Sequence, residues 1–333
     1  MTAARYATQM RLPHVGSAGQ RRLAEASVTV IGAGGLGSAL LPLLAGAGVG
    51  RISIVDPDHV EVTNLHRQTL YTMQELGRAK AAAAAAALQR LNPVIELAAH
   101  VVAVDPANAD AFVRDADIVV DAADRFAVSY LLSDACVRQG KPLVSGSAQA
   151  LAGYVGVFCG SAPSYRAVFP QWPSSATSCD AAGVLGPVVA TIGCLQAQLV
   201  LMLLLAIEPS PCARLWRWDA QRMSFASFDF SAAPEPEPET QPRLIAPAQI
   251  RAEDVVLDLR DASELAAPQT AQVLRCKMAD VAALAAELPA HRRVVLVCRS
   301  GLRAARAAAL LQAAGRQELA LVAAGDAAVG ALP

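Results

Sequence analysis

Short apolar runs alternate with longer helical stretches over most of the chain. Ser27–Ile31 (SVTVI) has the look of a buried strand, and a glycine turn then opens an apolar helix that reaches about Ala47. Arg51–Val55 (RISIV) is the next strand. The alanine-dominated stretch Lys80–Leu91 must be helix, since alanine is the strongest helix former. Residues 117–120 (DIVV) and 142–144 are further strands, separated by a helix over Phe126–Gln139. This alternation predicts an α/β fold built on a doubly wound, Rossmann-like parallel sheet.

The pattern stops at residues 231–242 (SAAPEPEPETQP), where proline and glutamate exclude helix and core and favour an extended spacer. Beyond it, residues 255–259 and 294–297 are strand-like and 302–314 helical, so a second, smaller α/β domain follows. The expected division is 1–230, a linker over 231–242, and 243–333, in keeping with a length of 333 residues. At about 3 Å per extended residue such a linker would let the second domain swing over roughly 35 Å.

Composition narrows the possible functions. Hydrophobic residues make up 54% and charged residues 17%, which marks a globular chain. A net charge of −1 offers no footprint for nucleic acid or an anionic membrane. Met1 is followed by Thr, Ala, Ala, Arg and Tyr rather than an apolar leader, and the seven cysteines lack paired spacing, so reduced thiols and a cytoplasmic location are expected. Residues 181–207 carry no charge, but Thr191, Gln196 and Gln198 interrupt the run. It reads as a buried helix at a core or subunit interface rather than a membrane span, and a homodimer is expected.

Gly32-Ala-Gly34-Gly-Leu-Gly37 follows the first strand and opens a helix, where glycines admit a phosphate and the helix N-terminus favours its charge. Asp56 ends the next strand, placed for ribose hydroxyls. A dehydrogenase would show as much. The following segment argues otherwise: Asn64-Leu-His-Arg67-Gln68 and then Lys80 put two cations beside the nucleotide, which suits an enzyme that moves charge on ATP phosphates. Asp124 closes the strand DIVVDAAD, where a carboxylate can hold Mg²⁺ against those phosphates. Each residue also has a plainer role open to it. Asp56 would cap a strand, Arg67 and Lys80 would be solvated charges, Asp124 would cap a helix, and Asp58 would serve its own turn.

These spaced motifs, together with Arg5-Tyr6 and Ala182-Gly-Val-Leu-Gly-Pro187, resemble the MoeB/ThiF/HesA family, bacterial relatives of ubiquitin-activating enzymes, over about residues 5–230. The resemblance implies ATP and Mg²⁺ as cofactors, with Asp56 on the ribose, Asn64, Arg67, Gln68 and Lys80 on the phosphates, and Asp124 on the metal. It also implies a ubiquitin-like sulfur-carrier protein ending in Gly-Gly as partner.

Three positions depart from that family. Its opening pattern, Arg-Tyr-x-Arg-Gln, here reads Arg5-Tyr6-Ala7-Thr8-Gln9, so Thr8 replaces an arginine that reaches the partner subunit's ATP. Many relatives bind structural zinc through two Cys-x-x-Cys pairs, but Ser164 and Ala167 stand at the first pair's places. No zinc is expected, and packing alone should hold that region. The usual Thr-Asp-Asn reads Ala123-Asp124-Arg125.

Two thiols carry candidate chemistry. Cys179, in Thr177-Ser-Cys-Asp-Ala-Ala-Gly183, is either a nucleophile toward an activated carrier or a small buried residue. Cys298-Arg299-Ser300-Gly301-Leu302-Arg303 leads from a strand into a helix, so backbone N–H groups and two arginines surround the sulfur. This loop resembles the rhodanese active site, and Asp258-Leu-Arg260 resembles that domain's early strand end, although Gly325-Asp-Ala replaces its usual paired glycines. Arg303 lies five positions after Cys298, with four residues between them, whereas Cys-based phosphatases use a longer Cys-x5-Arg loop. The resemblance implies persulfide chemistry, with a cysteine desulfurase or thiosulfate as sulfur donor. Cys136 and Cys194 are expected in the core and Cys276 in a structural place.

The leading expectation is therefore ATP-dependent adenylation of a sulfur carrier, coupled to sulfur transfer from Cys298. Two rivals stay open: adenylation of another carboxylate, such as a peptide C-terminus, and a degenerate protein that binds nucleotide and carrier without turnover.

Overall fold

The computed structural model describes residues 2–172, 183–237, 242–261, 264, 273–289 and 291–323. Two sheets organise them. The larger contains β1 (Ser27–Ile31), β2 (Arg51–Val55), β3 (Glu96–His100), β4 (Ile118–Asp121), β5 (Pro142–Gln149), β6 (Ala152–Cys159), β7 (Arg214–Asp219) and β8 (Ser224–Asp229), in the order β3-β2-β1-β4-β5-β6-β7-β8. The first five in that order pair parallel. The sheet then continues through three antiparallel pairings, which the expected all-parallel sheet lacks. The order reverses between β1 and β4, and a crevice opens there at the carboxyl ends of the strands.

The uncharged stretch forms a helix over Gly186–Leu205. By length and composition it is apolar enough to cross a membrane, yet half of it is buried inside the protein. It lies across β5 and β6 and along the helix Gly35–Ala47. Glycines allow that close approach: a Cβ on Gly193 would lie 2.6 Å from the Leu36 carbonyl oxygen, and one on Gly146 would meet Gln196 at 2.9 Å. Cys136 is buried as expected. Cys194 is not, because it lies on the outward stripe of the Gly186–Leu205 helix together with Pro187 and Gln198.

The smaller sheet contains β9 (Arg243–Leu244), β10 (Val255–Asp258), β11 (Val273–Arg275), β12 (Val294–Cys298) and β13 (Leu319–Ala323), in the order β11-β10-β12-β13-β9 with every pairing parallel. Both faces of β10 and β12 are buried, which explains their unbroken runs of valine and leucine.

The linker does more than span a gap. The Glu235 carboxylate accepts hydrogen bonds from Ser164 N at 2.7 Å and Ser164 Oγ at 2.6 Å. Ser164 Oγ also caps the short helix Tyr165–Val168 by accepting from Ala167 N at 3.0 Å. Packing alone therefore does not hold this region. A serine–carboxylate clasp secures it and ties down the first part of the linker, which shortens the reach expected for a free spacer.

Candidate active site

The crevice at the strand-order reversal is a cavity of about 630 Å³ lined by the glycine loop, Asp56, Asp58, Asn64, Arg67, Gln68, Lys80 and Asp124. The glycines of the loop have separate roles. Gly32 has φ +103°, and a Cβ there would sit 2.6 Å from the Ala122 carbonyl oxygen, so the turn and its contact with the end of β4 both require glycine. A Cβ on Gly35 would meet Val189 at 2.5 Å, and one on Gly37 would collide with the Gly32 carbonyl. Gly34 differs. Its Cβ would find only Gln68 Nε2, at 3.6 Å, so the open side of the loop faces the cavity. Gly34 also stands just before the helix Gly35–Ala47, whose N-terminus points its unpaired N–H groups at the same space.

Asp56 shapes this loop as well as lining the cavity. Its two carboxylate oxygens accept from Ala33 N at 2.7 Å and Asp58 N at 2.8 Å. Burial pushes its carboxyl above the usual range, and those two N–H groups pull partly in the other direction. Each oxygen retains a lone pair for a ribose hydroxyl. Asp56 is therefore more than a strand cap. Tyr71, which the sequence reading overlooked, donates its hydroxyl to the Ala33 carbonyl at 2.7 Å and braces the loop from behind.

The expected phosphate ligands converge. Lys80 is buried rather than solvated, and its Nζ lies 3.3 Å from Asp58 Oδ2. Asp58 thus holds the lysine over the cavity, in addition to serving its own turn. Arg67 is held by the Thr63 carbonyl at 3.3 Å and by the His66 ring nitrogen at 2.8 Å. Gln68 is buried with Oε1 lacking a hydrogen-bond partner, an orphaned polar atom at the wall of the cavity. Asp124 is exposed to the cavity, and Arg125, without a side-chain cap, begins the helix Phe126–Gln139. Asp124 is therefore not spent on helix capping. The open cradle at Gly34, the Lys80 and Arg67 cations and the accessible Asp124 carboxylate together fit a nucleoside triphosphate with its metal.

A buried carboxylate beneath the site was also overlooked. Asp121 ends β4 fully buried, accepts from Ser145 Oγ at 2.9 Å and from Ala123 N at 3.2 Å, and burial raises its pKa to about 6. Gln196 donates to the Asp121 carbonyl at 2.7 Å, which fixes the Gly186–Leu205 helix to the floor of the crevice. The only hint in the sequence is that DIVVD ends in an acid just before Asp124.

At the second sheet, Cys298 is fully buried at the end of β12, and its Sγ accepts from Gly301 N at 3.1 Å and Ala304 N at 3.3 Å. Gly301 takes φ +87° to turn its N–H inward. Arg303 is held by other groups, although its charge still acts on the Cys298 thiol. It donates to the Leu259 carbonyl at 2.9 Å and to Glu264 Oε1 at 2.5 Å, and this bond holds the Glu264 carboxyl below its usual range. Beneath the loop, Arg260 and Asp258 form a fully buried ion pair at 2.8 Å. Ser300 is exposed. Cys276 is half-buried with its thiol on the Lys277 carbonyl at 3.3 Å. Burial raises the Cys136 thiol strongly and the Cys159 thiol to about 11, so both are inert at neutral pH. Cys179 and Gly325 lie outside the described residues.

The family model described as the ThiF family matches residues 6–240. The chain belongs to the ThiF family. Among its relatives, "Adenylyltransferase and sulfurtransferase MOCS3" of Bos taurus is 47% identical over 224 residues, which cover 66% of this chain and 49% of the relative. "Sulfur carrier protein adenylyltransferase" of Thermus thermophilus is 45% identical over 229 residues, covering 66% of this chain and 84% of the relative. The ThiF-family chain thus spans about half the length of the MOCS3 relatives it matches. Its fold is that of E. coli MccB, with a TM-score of 0.61 at 23% identity over 69% of this chain and 72% of MccB.

Proposed function

We propose that this protein uses ATP to adenylate the C-terminal carboxylate of a ubiquitin-like sulfur-carrier protein ending in Gly-Gly, and that a rhodanese-like unit then supplies sulfur. The observation that carries the reading is that one cavity gathers the open cradle at Gly34, Asp56, Lys80, Gln68 and Asp124, with Arg299 of the Cys298 loop at its wall. The names of the bovine and Thermus relatives support the same chemistry.

In this reading a carboxylate oxygen of the carrier attacks the α-phosphorus of ATP, and pyrophosphate leaves. Asp124 would hold Mg²⁺, which would offset phosphate charge. Lys80 and Arg67 orient the triphosphate and neutralise it as the leaving group departs. A persulfide on Cys298, loaded by a cysteine desulfurase or by thiosulfate, then attacks the acyl carbon through its terminal sulfur and expels AMP. The resulting acyl disulfide is cleaved by a second thiol, for which Cys179 is the candidate, giving the thiocarboxylate and a protein disulfide.

ATP–pyrophosphate exchange with carriers ending in Gly-Gly tests the first step. Exchange should appear only with such a carrier, and Asp124→Ala should lower it by about a hundredfold or more without unfolding the protein. Wild-type exchange in that variant would remove Asp124 from the site, and no exchange with any Gly-Gly carrier would refute adenylation of a sulfur carrier.

A further inference from the structure

Arg299 belongs to the second sheet's sulfur loop, yet it lines the cavity formed by the first sheet, alongside Gly34, Lys80 and Asp124. The contact beneath it is tight. A Cβ on Gly301 would lie 2.9 Å from Ala127 Cβ and 3.5 Å from the Trp172 ring, so the loop is seated on the first turn of the helix that follows Asp124. Trp172 packs against the cores of both units.

The charges of the cavity give this placement a purpose. Its described lining contains four acids, Asp56, Asp58, Glu61 and Asp124, and four bases, Arg67, Lys80, Arg125 and Arg299. Lys80 is already engaged by Asp58. Without Arg299 the acids outnumber the bases, a poor setting for a triphosphate. The second unit thus contributes one of the four cations that line this site. Cys298 is fully buried beneath its own loop, whose Gly301 and Ala304 N–H groups close on the sulfur, and the Gly301 contact with Ala127 and Trp172 presses on that loop from outside.

We propose that Arg299 contacts the phosphates of ATP across the two units, so that nucleotide binding holds the Cys298 loop seated against the adenylation cavity and shields its thiol. The proposal rests on the reading of this cavity as an ATP site. A ligand that meets Arg299 only when the loop is seated must favour the seated state, and by reciprocity the seated loop must tighten ATP. Sulfur loading of Cys298 then belongs to the nucleotide-free protein, in which the loop is able to lift away, and delivery follows adenylation, once pyrophosphate has left and its hold on Arg299 is released.

The test uses the full chain with Mg²⁺ and ATP but without carrier, so that no turnover occurs. It measures ATP affinity by calorimetry and the alkylation rate of Cys298 by iodoacetamide and peptide mass spectrometry. ATP should slow Cys298 alkylation in the wild type by about tenfold. Arg299→Ala should weaken ATP by a similar factor and abolish the protection, and Arg299→Lys should restore part of both. Arg299 is exposed on a loop, so its removal should leave the fold intact. If Arg299→Ala binds ATP as the wild type does and still protects Cys298, the proposal fails while the adenylation reading stands. A wild-type chain that binds no ATP would refute both.

Discussion

The loop after β1 and the loop after β12 share one construction: a buried strand, a glycine at positive φ, and a helix whose N-terminus supplies N–H groups. They differ in what those groups face. Around Gly34 the backbone opens onto a cavity of about 630 Å³, and the loop's shape is kept from outside by Asp56 and Tyr71. Around Cys298 the N–H groups of Gly301 and Ala304 close on the chain's own sulfur, which is fully buried. One local grammar yields either a ligand cradle or a nest for a built-in nucleophile, depending on whether a glycine or a cysteine occupies the position the donors address. The carboxylates beneath the loops differ as well. Asp121 under the first is satisfied by hydroxyl and amide donors, whereas Asp258 under the second is paired with Arg260 in a fully buried ion pair.

The largest effect should come from removing the sulfur itself. Cys298→Ala takes away the only thiol that its loop encloses, so thiosulfate sulfurtransferase activity should fall by about a thousandfold or more. ATP–pyrophosphate exchange should change by far less, because the open cradle at Gly34 needs no thiol. Equal losses of both activities would mean the two loops are not separable in function. Full sulfurtransferase activity in the variant would point to Cys179 instead.

How much of this contrast the sequence carried depends on the range of the interactions involved. The strand at Ser27–Ile31 and the helix at Lys80–Leu91 were readable to the residue, since periodicity and alanine propensity are local. The glycine loop and the Cys298 loop were legible for the same reason. The antiparallel strands Ala152–Cys159 and Ser224–Asp229 were not, as one is rich in small residues and the other exposed throughout. Asp121, Gln196 and Tyr71 escaped because their roles depend on partners brought in from distant segments, such as Ser145 and Ala33. Arg303 suggested an anion ligand by spacing, but Glu264, a neighbour only in the folded chain, claims it. Cys194 was assigned to the core by the apolar run around it, yet its angular position on the helix turns it outward.

A second pair of variants sharpens the difference among the glycines of the nucleotide loop. Gly37→Ala would drive a methyl into the Gly32 carbonyl, a collision with backbone that a side-chain shift cannot relieve, so it should cost about 2–3 kcal/mol of stability. Gly34→Ala meets only the end of Gln68 and should leave stability within about 1 kcal/mol, while its methyl intrudes on the phosphate space and weakens ATP. Urea midpoints and calorimetric ATP titration separate the two. If Gly34→Ala binds ATP like the wild type, the cradle lies elsewhere on the loop.

The smallest effect concerns the carboxylate under the nucleotide loop. Burial raises Asp121 from 3.8 to about 6 in the folded chain, with Ser129, Ser145 and Ala123 N pulling it back in part. Below pH 3.8 the carboxyl is protonated whether the chain is folded or not, and the group costs nothing. As the pH rises toward about 6 the unfolded chain releases its proton first, so stability is lost across that interval and stays lost above it. A shift of this size is worth about 3 kcal/mol in full, part of which is already lost by pH 4. Asp121→Asn is a near-isosteric change that keeps an acceptor for Ser145 and does not titrate. Measured by urea unfolding, the stability of Asp121→Asn relative to wild type should therefore improve by about 2 kcal/mol between pH 4 and pH 7. Taking the difference cancels every other titrating group that the two proteins share. A difference that is the same at both pH values would show that Asp121 is already ionised in the folded protein at pH 4. Its serine and amide donors would then outweigh its burial, and the two buried carboxylates would be alike after all.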